Sequence, residues 1–316
     1  MKELRLGTRG SLLARTQSGH VKSALEKGSG VSVRLEVVRT TGDRYQDRPL
    51  PEIGAKGLFT QELDRALLGG DVDLAVHSLK DLPTELPPGL TLAAVPERVD
   101  PRDVVVGPRG RVTTLEGLPR GARLGTGSLR RQALARAFRD DLEVEGIRGN
   151  LDTRIRKVDD GRYDAIVVAA AGIIRLGLEE RIGDWLERTS WLPSPGQGAL
   201  AVVARNDDRE VLEILRRLDH DASRAAVLAE RTVLESLGGG CQVPIGSLGL
   251  PFDGGLRLWA LVASPDGRRL ARSDRTGGID DPAALGREVA SVLRDRGAIE
   301  ILESLDRGSV PDFTHP

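Results

Sequence analysis

Two short segments of this chain carry one pattern, and that repetition limits the fold more than any other feature. Arg5-Leu6-Gly7-Thr8-Arg9-Gly10-Ser11 leads into a helix-like stretch at 12–27, and Arg123-Leu124-Gly125-Thr126-Gly127-Ser128 leads into a similar one at 129–138. Each reads as a strand, a Gly-Thr-Ser turn and a helix. Further on in each half an acidic turn introduces an apolar run, Asp71-Val72-Asp73-Leu74-Ala75-Val76 in the first and Tyr163-Asp164-Ala165-Ile166-Val167-Val168 in the second. Such runs suit strands covered on both faces, so the pattern predicts two α/β lobes of related design around a cleft. A linker is expected near Val99-Asp100-Pro101 and a return crossing near Ser194-Pro195-Gly196-Gln197-Gly198, after which Ala199-Leu200-Ala201-Val202-Val203 reads as a strand rejoining the first lobe.

A third region opens near Asp219 with an amphipathic helix pattern through Leu237. Strand-like segments follow at 243–250, 256–263 and 269–275, the last two joined by a Pro265-Asp266-Gly267 turn, and a closing helix fits 282–305. This is a small α+β domain with a three-stranded antiparallel sheet. The expected division is residues 1–98 with 197–217, residues 99–196, and residues 218–316.

A chain of 316 residues exceeds what one hydrophobic core usually serves, which agrees with several domains. No apolar run approaches the roughly 18 residues of a membrane span. The first residues, Met1-Lys2-Glu3-Leu4-Arg5, lack the apolar stretch of a secretory signal, so a cytoplasmic location is expected. One cysteine cannot form an internal disulfide. The formal net charge of −1 supplies no global field for nucleic acid, and aromatics at 3% leave few platforms for stacked bases.

Within the two Gly-Thr-Ser turns, small residues let backbone approach a ligand, and the helix that follows points unpaired N–H groups outward as an anion site. Arg9 and Ser11 in the first turn, and Thr126, Ser128, Arg130 and Arg131 in the second, add donors. The plainer reading makes Ser11 and Ser128 helix N-caps and the arginines solvated. Arg148-Gly149-Asn150-Leu151-Asp152-Thr153-Arg154 and Arg175, flanked by Gly172 and Gly177, extend the positive lining. In Val76-His77-Ser78-Leu79-Lys80-Asp81-Leu82-Pro83 a buried-looking strand ends in polar residues, where ligands usually bind in α/β sheets. Asp81 there is either a carboxylate for stabilising a cation and relaying protons or a turn residue ahead of Pro83. The stretch 41–57 reads as a lid or as a disordered loop. Cys241 follows three glycines in Gly238-Gly239-Gly240-Cys241-Gln242-Val243-Pro244, which favours an exposed, modifiable sulfur over the buried small hydrophobe a lone cysteine more often is.

Taken together and in order, Thr8-Arg9-Gly10-Ser11, Lys56-Gly57-Leu58-Phe59, Val76 to Pro83, Gly125 to Gln132, Arg148-Gly149-Asn150, Gly196-Gln197-Gly198 and Gly239 to Gly246 resemble the porphobilinogen deaminase family. The resemblance implies two lobes like type-two periplasmic binding proteins plus the C-terminal domain. It implies a monomeric enzyme of tetrapyrrole biosynthesis that condenses four porphobilinogen molecules head to tail onto a dipyrromethane primer, with loss of ammonia, and releases hydroxymethylbilane. By the same resemblance the primer is a covalent cofactor on Cys241. Asp81 is then catalytic. Ser78, Lys80, Thr126, Ser128, Arg130, Arg131, Arg154 and Gly172 bind the primer; Arg9, Ser11, Phe59, Arg148, Arg175 and Gln197 bind substrate; and residues 43–57 form a lid. The chain departs from the family's usual pattern at Ala55, Gln61 and Gly127. The rival class is a two-lobed receptor for a carboxylate, which has no use for a thiol in a glycine turn.

Overall fold

The computed structural model describes residues 3–40, 60–240 and 243–307. In chain order they form β1 (Glu3–Thr8), α1 (Leu12–Ser29), β2 (Ser32–Val37), α2 (Gln61–Leu68), β3 (Leu74–Ser78), β4 (Leu90–Ala94), β5 (Asp103–Val106), β6 (Arg123–Gly125), α3 (Leu129–Phe138), β7 (Glu143–Glu145), α4 (Leu151–Asp159), β8 (Ala165–Ala169), α5 (Ala170–Arg175) and β9 (Ile182–Trp185). There follow β10 (Leu200–Arg205), α6 (Arg209–Leu215), α7 (Asp221–Ser236), β11 (Ile245–Phe252), β12 (Gly255–Ala263), β13 (Leu270–Gly277), α8 (Pro282–Asp295) and α9 (Ala298–Arg307). Among the described residues no helix is long and apolar enough to cross a membrane. The chain divides into two compact units, Met1–Val99 with Gly198–Arg224, and Asp100–Gln197 with Ala225–Pro316.

The sheet of the first unit runs β2-β1-β3-β10-β4, and one sheet of the second runs β7-β6-β8-β5-β9. Position for position they are the same. β1 lies parallel to β2 and β3, and β10 antiparallel to β3 and β4. Likewise β6 lies parallel to β7 and β8, and β5 antiparallel to β8 and β9. The repeat in the sequence is therefore a repeat of topology, and the run at 199–203 does rejoin the first lobe, as β10.

The same residue types hold the two copies together. Arg5 donates its amide to the Asp73 carboxylate at 2.8 Å, while the Asp73 amide donates to the Arg5 carbonyl at 2.8 Å. Arg123 and Asp164 repeat this exchange at 2.8 and 2.9 Å. Each acidic turn thus sets the register at which β3 or β8 enters beside its parallel neighbour. Gly7 and Gly125, also equivalent, are small for a reason inside each lobe. A Cβ on Gly7 would meet Leu63 at 2.9 Å, and one on Gly125 would meet Tyr163 at 2.8 Å.

In the C-terminal region β11, β12 and β13 form an antiparallel sheet. The closing helix expected at 282–305 is two helices, α8 and α9, because Gly297 adopts a φ of +84 between them, a left-handed conformation that terminates the first. Leu248, Leu261 and Ala263 of this sheet share one buried cluster with Val105, Leu124, Ala133, Trp191 and Leu192. The hairpin turn after β12 sits so close to the end of α3 that a Cβ on Gly267 would lie 2.5 Å from the Ala137 nitrogen.

Glu230 of α7 is fully buried and accepts from the Gly196 amide at 2.6 Å and the Gly249 amide at 2.7 Å, tying the 194–197 segment to β11. Glu230→Ala strands both amides in the interior. The expected loss of stability is about 2–5 kcal/mol, read as a lower urea midpoint for the full chain.

Candidate active site

Parallel strands bring the turns that follow them to one edge of a sheet. In the first unit the segments after β1 and β3 carry Arg9, Ser11, Ser78, Lys80 and Asp81. Ser11 is the N-cap of α1 and accepts from the Ala14 amide at 3.3 Å. The Ser78 hydroxyl is held by the Gln17 amide at 3.0 Å. The carboxyl end of β3 then tightens into a single 3-10 turn, Leu79–Asp81, anchored by the buried Leu79 and by its amide donating to the Ala199 carbonyl at 3.1 Å. Asp81 ends that turn exposed to solvent, while Lys80 beside it is half-buried.

His77, one residue before Ser78, is 6% exposed, and its Nε2 is buried with no hydrogen-bond partner. Burial, with a smaller contribution from Arg9, pushes the imidazole down to about 4. It therefore stays neutral next to Arg9.

The second unit gathers more positive charge. The segments after β6, β7 and β8 carry Thr126 and Ser128 in a turn, then Arg148 in a loop and Arg154 in α4, then Gly172 and Arg175 in α5. Ser128 caps α3 by accepting from the Arg131 amide at 3.5 Å. The Thr126 hydroxyl accepts from the Ser128 amide at 3.3 Å and is enclosed. Arg154 donates from Nε to the Gly149 carbonyl at 2.8 Å, which fixes the base of its guanidinium. Gly172 is buried in the first turn of α5, and its carbonyl accepts from the Leu176 amide at 3.3 Å. Burial lowers Arg148, and pushes Arg175 down to about 10.

Arg130 and Arg131 are neither solvated nor simply offered to a ligand. They are 2% and 5% exposed and converge on Asp103, which opens β5 and is completely buried. Cross-strand pairing of Asp103 with Ala169 puts this carboxylate at the same edge as the β8–α5 turn. The two guanidiniums outweigh burial, which alone would raise the Asp103 carboxyl, and hold it well below the usual carboxylate range. Burial lowers Arg130, and Asp103 partly restores it. Gln197, also fully enclosed, donates to Asp103 at 2.7 Å and the Pro101 carbonyl at 2.8 Å and accepts from Arg131 at 3.1 Å. Its geometry supports the arginine pair. Asp103 carried no recognisable motif in the sequence. The available signal was two consecutive arginines in the first turn of a helix, the end at which cations are unfavourable without a counter-charge.

The glycines of the second turn also have an internal reason. A Cβ on Gly127 would lie 2.9 Å from the Ile147 carbonyl oxygen, so the second turn lacks side-chain volume because the chain after β7 packs against it. Cys241, Phe59 and the 43–57 segment lie outside the described residues.

Residues 4–213 match the family model described as porphobilinogen deaminase, dipyromethane cofactor binding domain, and residues 224–295 match porphobilinogen deaminase, C-terminal domain. The chain belongs to the porphobilinogen deaminase family. Relatives named porphobilinogen deaminase include one from Desulforudis audaxviator, 50% identical over 98% of this chain and 99% of the relative. Another, from Syntrophobacter fumaroxidans, is 48% identical over 96% of this chain and 98% of the relative. Similar solved structures include the methionine binding protein MetQ, with a TM-score of 0.44 and 12% identity over 70% of this chain and 92% of that one. The VFT2 domain of Bordetella pertussis BvgS gives 0.42 and 16% over 68% and 86%.

The donor set of the second unit fits the dipyrromethane this family carries, whose pyrroles bear acetate and propionate groups. One carboxylate faces two guanidiniums, leaving an enclosed net positive charge, and the Nε atoms of Arg130 and Arg131 are buried with no partner. Desolvated arginines favour an anionic guest, because its charge offsets the penalty burial has already imposed.

The neutral His77 has a consequence for stability. Its folded pKa lies below the unfolded value, so the unfolded chain binds the extra proton as pH falls through 6.5 and stability declines until about 4. Between pH 7 and pH 5 that loss is about 2 kcal/mol. A His77→Gln chain should show a urea midpoint less sensitive to pH over this interval than the parent.

Proposed function

We propose that this chain is a hydroxymethylbilane synthase in which Asp81 performs the chemistry, Cys241 anchors the primer and the arginines of the second unit hold pyrrole carboxylates. The observation that carries the reading is the enclosed, net positive pair Arg130 and Arg131 at the strand edge of a chain that belongs to this family. The dipyrromethane, joined to Cys241 by a thioether, would supply the pyrrole carbon to which the first new unit is bonded, each later unit joining the one added before it.

Porphobilinogen must lose ammonia before it can be joined, and breaking that carbon–nitrogen bond leaves a positive charge delocalised over the substrate's methylene and pyrrole nitrogen. The Asp81 carboxylate stabilises this charge by proximity. When the new carbon–carbon bond has formed, the attacked pyrrole position must give up a proton, and a carboxylate on an exposed turn can accept it and pass it to water. Each addition therefore releases one ammonia and one proton. After four additions, hydrolysis frees the linear tetrapyrrole and leaves Cys241 loaded.

In this reading Ser78, Lys80, Thr126, Ser128, Arg130, Arg131, Arg154 and Gly172 hold the primer. Arg9, Ser11, Arg148, Arg175 and Phe59 meet the incoming substrate, and Gln197 serves the site through Arg131. Each carboxylate at a helix N-terminus gains about 0.3–1 kcal/mol. Residues 1–98 with 197–217 supply Asp81 and the 43–57 lid, 99–196 supply the arginines, and 218–316 supply the anchor. We extend the proposal to a monomer working in the cytoplasm on a small molecule, without nucleic acid. A charge of −1 and few aromatics support the last point.

Asp81→Ala should lower kcat by about 10²–10³ while the chain remains folded and loaded. Turnover near the parent's would remove Asp81 from its role. Cys241→Ser should yield a denatured chain whose mass lacks the two pyrrole units of the primer, and an unchanged mass would place the attachment elsewhere.

A further inference from the structure

We propose that Asp103 is a positioning residue for the reaction, setting both the direction and the net charge of the Arg130 and Arg131 side chains that receive pyrrole carboxylates. The inference rests on the carboxylate-binding reading of those arginines and adds a residue that touches neither substrate nor primer.

The argument starts from helix geometry. Residues 130 and 131 are consecutive in the first turn of α3 and leave the helix about 100° apart, so nothing local makes them act together. They also sit at the positive end of the helix, where two cations are mutually and locally unfavourable. One carboxylate solves both problems. Arg130 Nη1 lies 2.8 Å from Asp103 Oδ2, and Arg131 Nη2 lies 2.8 Å from Oδ1. Divergent side chains are thereby drawn to opposite oxygens of a single group.

Asp103 is itself fixed. The Trp191 indole donates to Oδ2 at 3.0 Å, and the Gln197 amide donates to Oδ1 at 2.7 Å. With four donors on two oxygens, the carboxylate's capacity to accept is filled. It has no unused lone pair with which to turn toward a ligand, and at 0% exposure it has no access to one. The guanidiniums are steadied from behind as well, Arg130 by the Leu192 carbonyl at 2.7 Å and Arg131 by the Val167 carbonyl at 3.2 Å. Yet both Nε atoms remain buried and unpartnered. Among the described residues the ion pairs of this cluster set one carboxylate against two guanidiniums, which keeps attraction for an anion while restraining the arginines enough to aim them.

The test uses the full chain, prepared without porphobilinogen and then exposed to it. Asp103→Asn keeps size and removes the charge. Circular dichroism and a thermal melt establish that the variant folds. Primer acquisition is followed by the mass of the denatured chain, and KM and kcat are measured on the loaded fraction. The expected result is primer acquisition slowed about tenfold, with the KM for porphobilinogen and kcat of the loaded fraction changed much less, because Arg9, Arg148 and Arg175 rather than the pair meet the incoming substrate. In an Arg131→Met background the same substitution should slow acquisition by a smaller factor than in the parent, because only Arg130 is left for Asp103 to position.

Should Asp103→Asn fail to fold, Trp191→Phe decides. It removes one donor to Asp103 without altering charge, and is expected to slow primer acquisition about threefold with KM and kcat of the loaded fraction changed less. Unchanged primer acquisition in a folded Asp103→Asn chain, or in Trp191→Phe where that substitute is needed, overturns the proposal, as does equal slowing in the Arg131→Met background. If Arg131→Met by itself leaves loading and KM unchanged, the carboxylate-binding reading of the pair falls, and this inference with it.

Discussion

A single buried carboxylate, Asp103, is the constraint around which the second lobe is arranged. It joins the start of β5, the first turn of α3, the indole of Trp191 and the amide of Gln197, four parts of the chain that no secondary structure brings together. Leaving one partner of a buried ion pair uncompensated costs about 3–5 kcal/mol, so these elements are strongly committed to one arrangement. The arginines that most resemble surface anion receptors are in fact interior residues, and their rigidity is a property of the core.

A second constraint acts in both lobes. The reciprocal backbone and carboxylate bonds of Arg5 with Asp73, and of Arg123 with Asp164, fix where the central parallel strands begin. Because each strand is a short extended segment, fixing its beginning also limits where its opposite end falls. Those ends lead into Ser78, Lys80 and Asp81 in one unit and into the loop and helices holding Arg148, Arg154 and Arg175 in the other. The polar pairs at one edge of each sheet thereby govern the placement of the candidate site residues at the far edge, a strand length away.

What could be read in advance was local. The caps Ser11 and Ser128, the helix at 129–138 and the strand status of 199–203 follow from short-range patterns, and the structure has each of them. The small residues of the two turns are legible as small, but the sequence does not show their packing reason. Gly7, Gly125 and Gly127 are required by side chains and backbone packed against them, which spacing cannot reveal. The split at Gly297 escaped because a glycine inside an apolar-periodic run is compatible with an unbroken helix until its φ is known. Asp103 escaped for a deeper reason. Its meaning depends on residues 130, 131, 191 and 197, none near it in sequence, so no window around Pro101-Arg102-Asp103-Val104 contains the signal.

The place of β10 has a further consequence, for the order in which the molecule can be made. This strand lies between β3 and β4 in the first sheet, yet it is encoded after the whole second lobe. On a ribosome the sheet begun first must wait with an interior gap while the chain from Ala94 to Leu200 is synthesised. At about 5–20 residues per second that interval is roughly 5–20 s. During it, β3 and β4 leave unpaired the backbone N–H and C=O groups that β10 later takes up, whereas the sheet at 103–185 comes from one uninterrupted stretch. The lobe that bears Asp81 is started first and completed later.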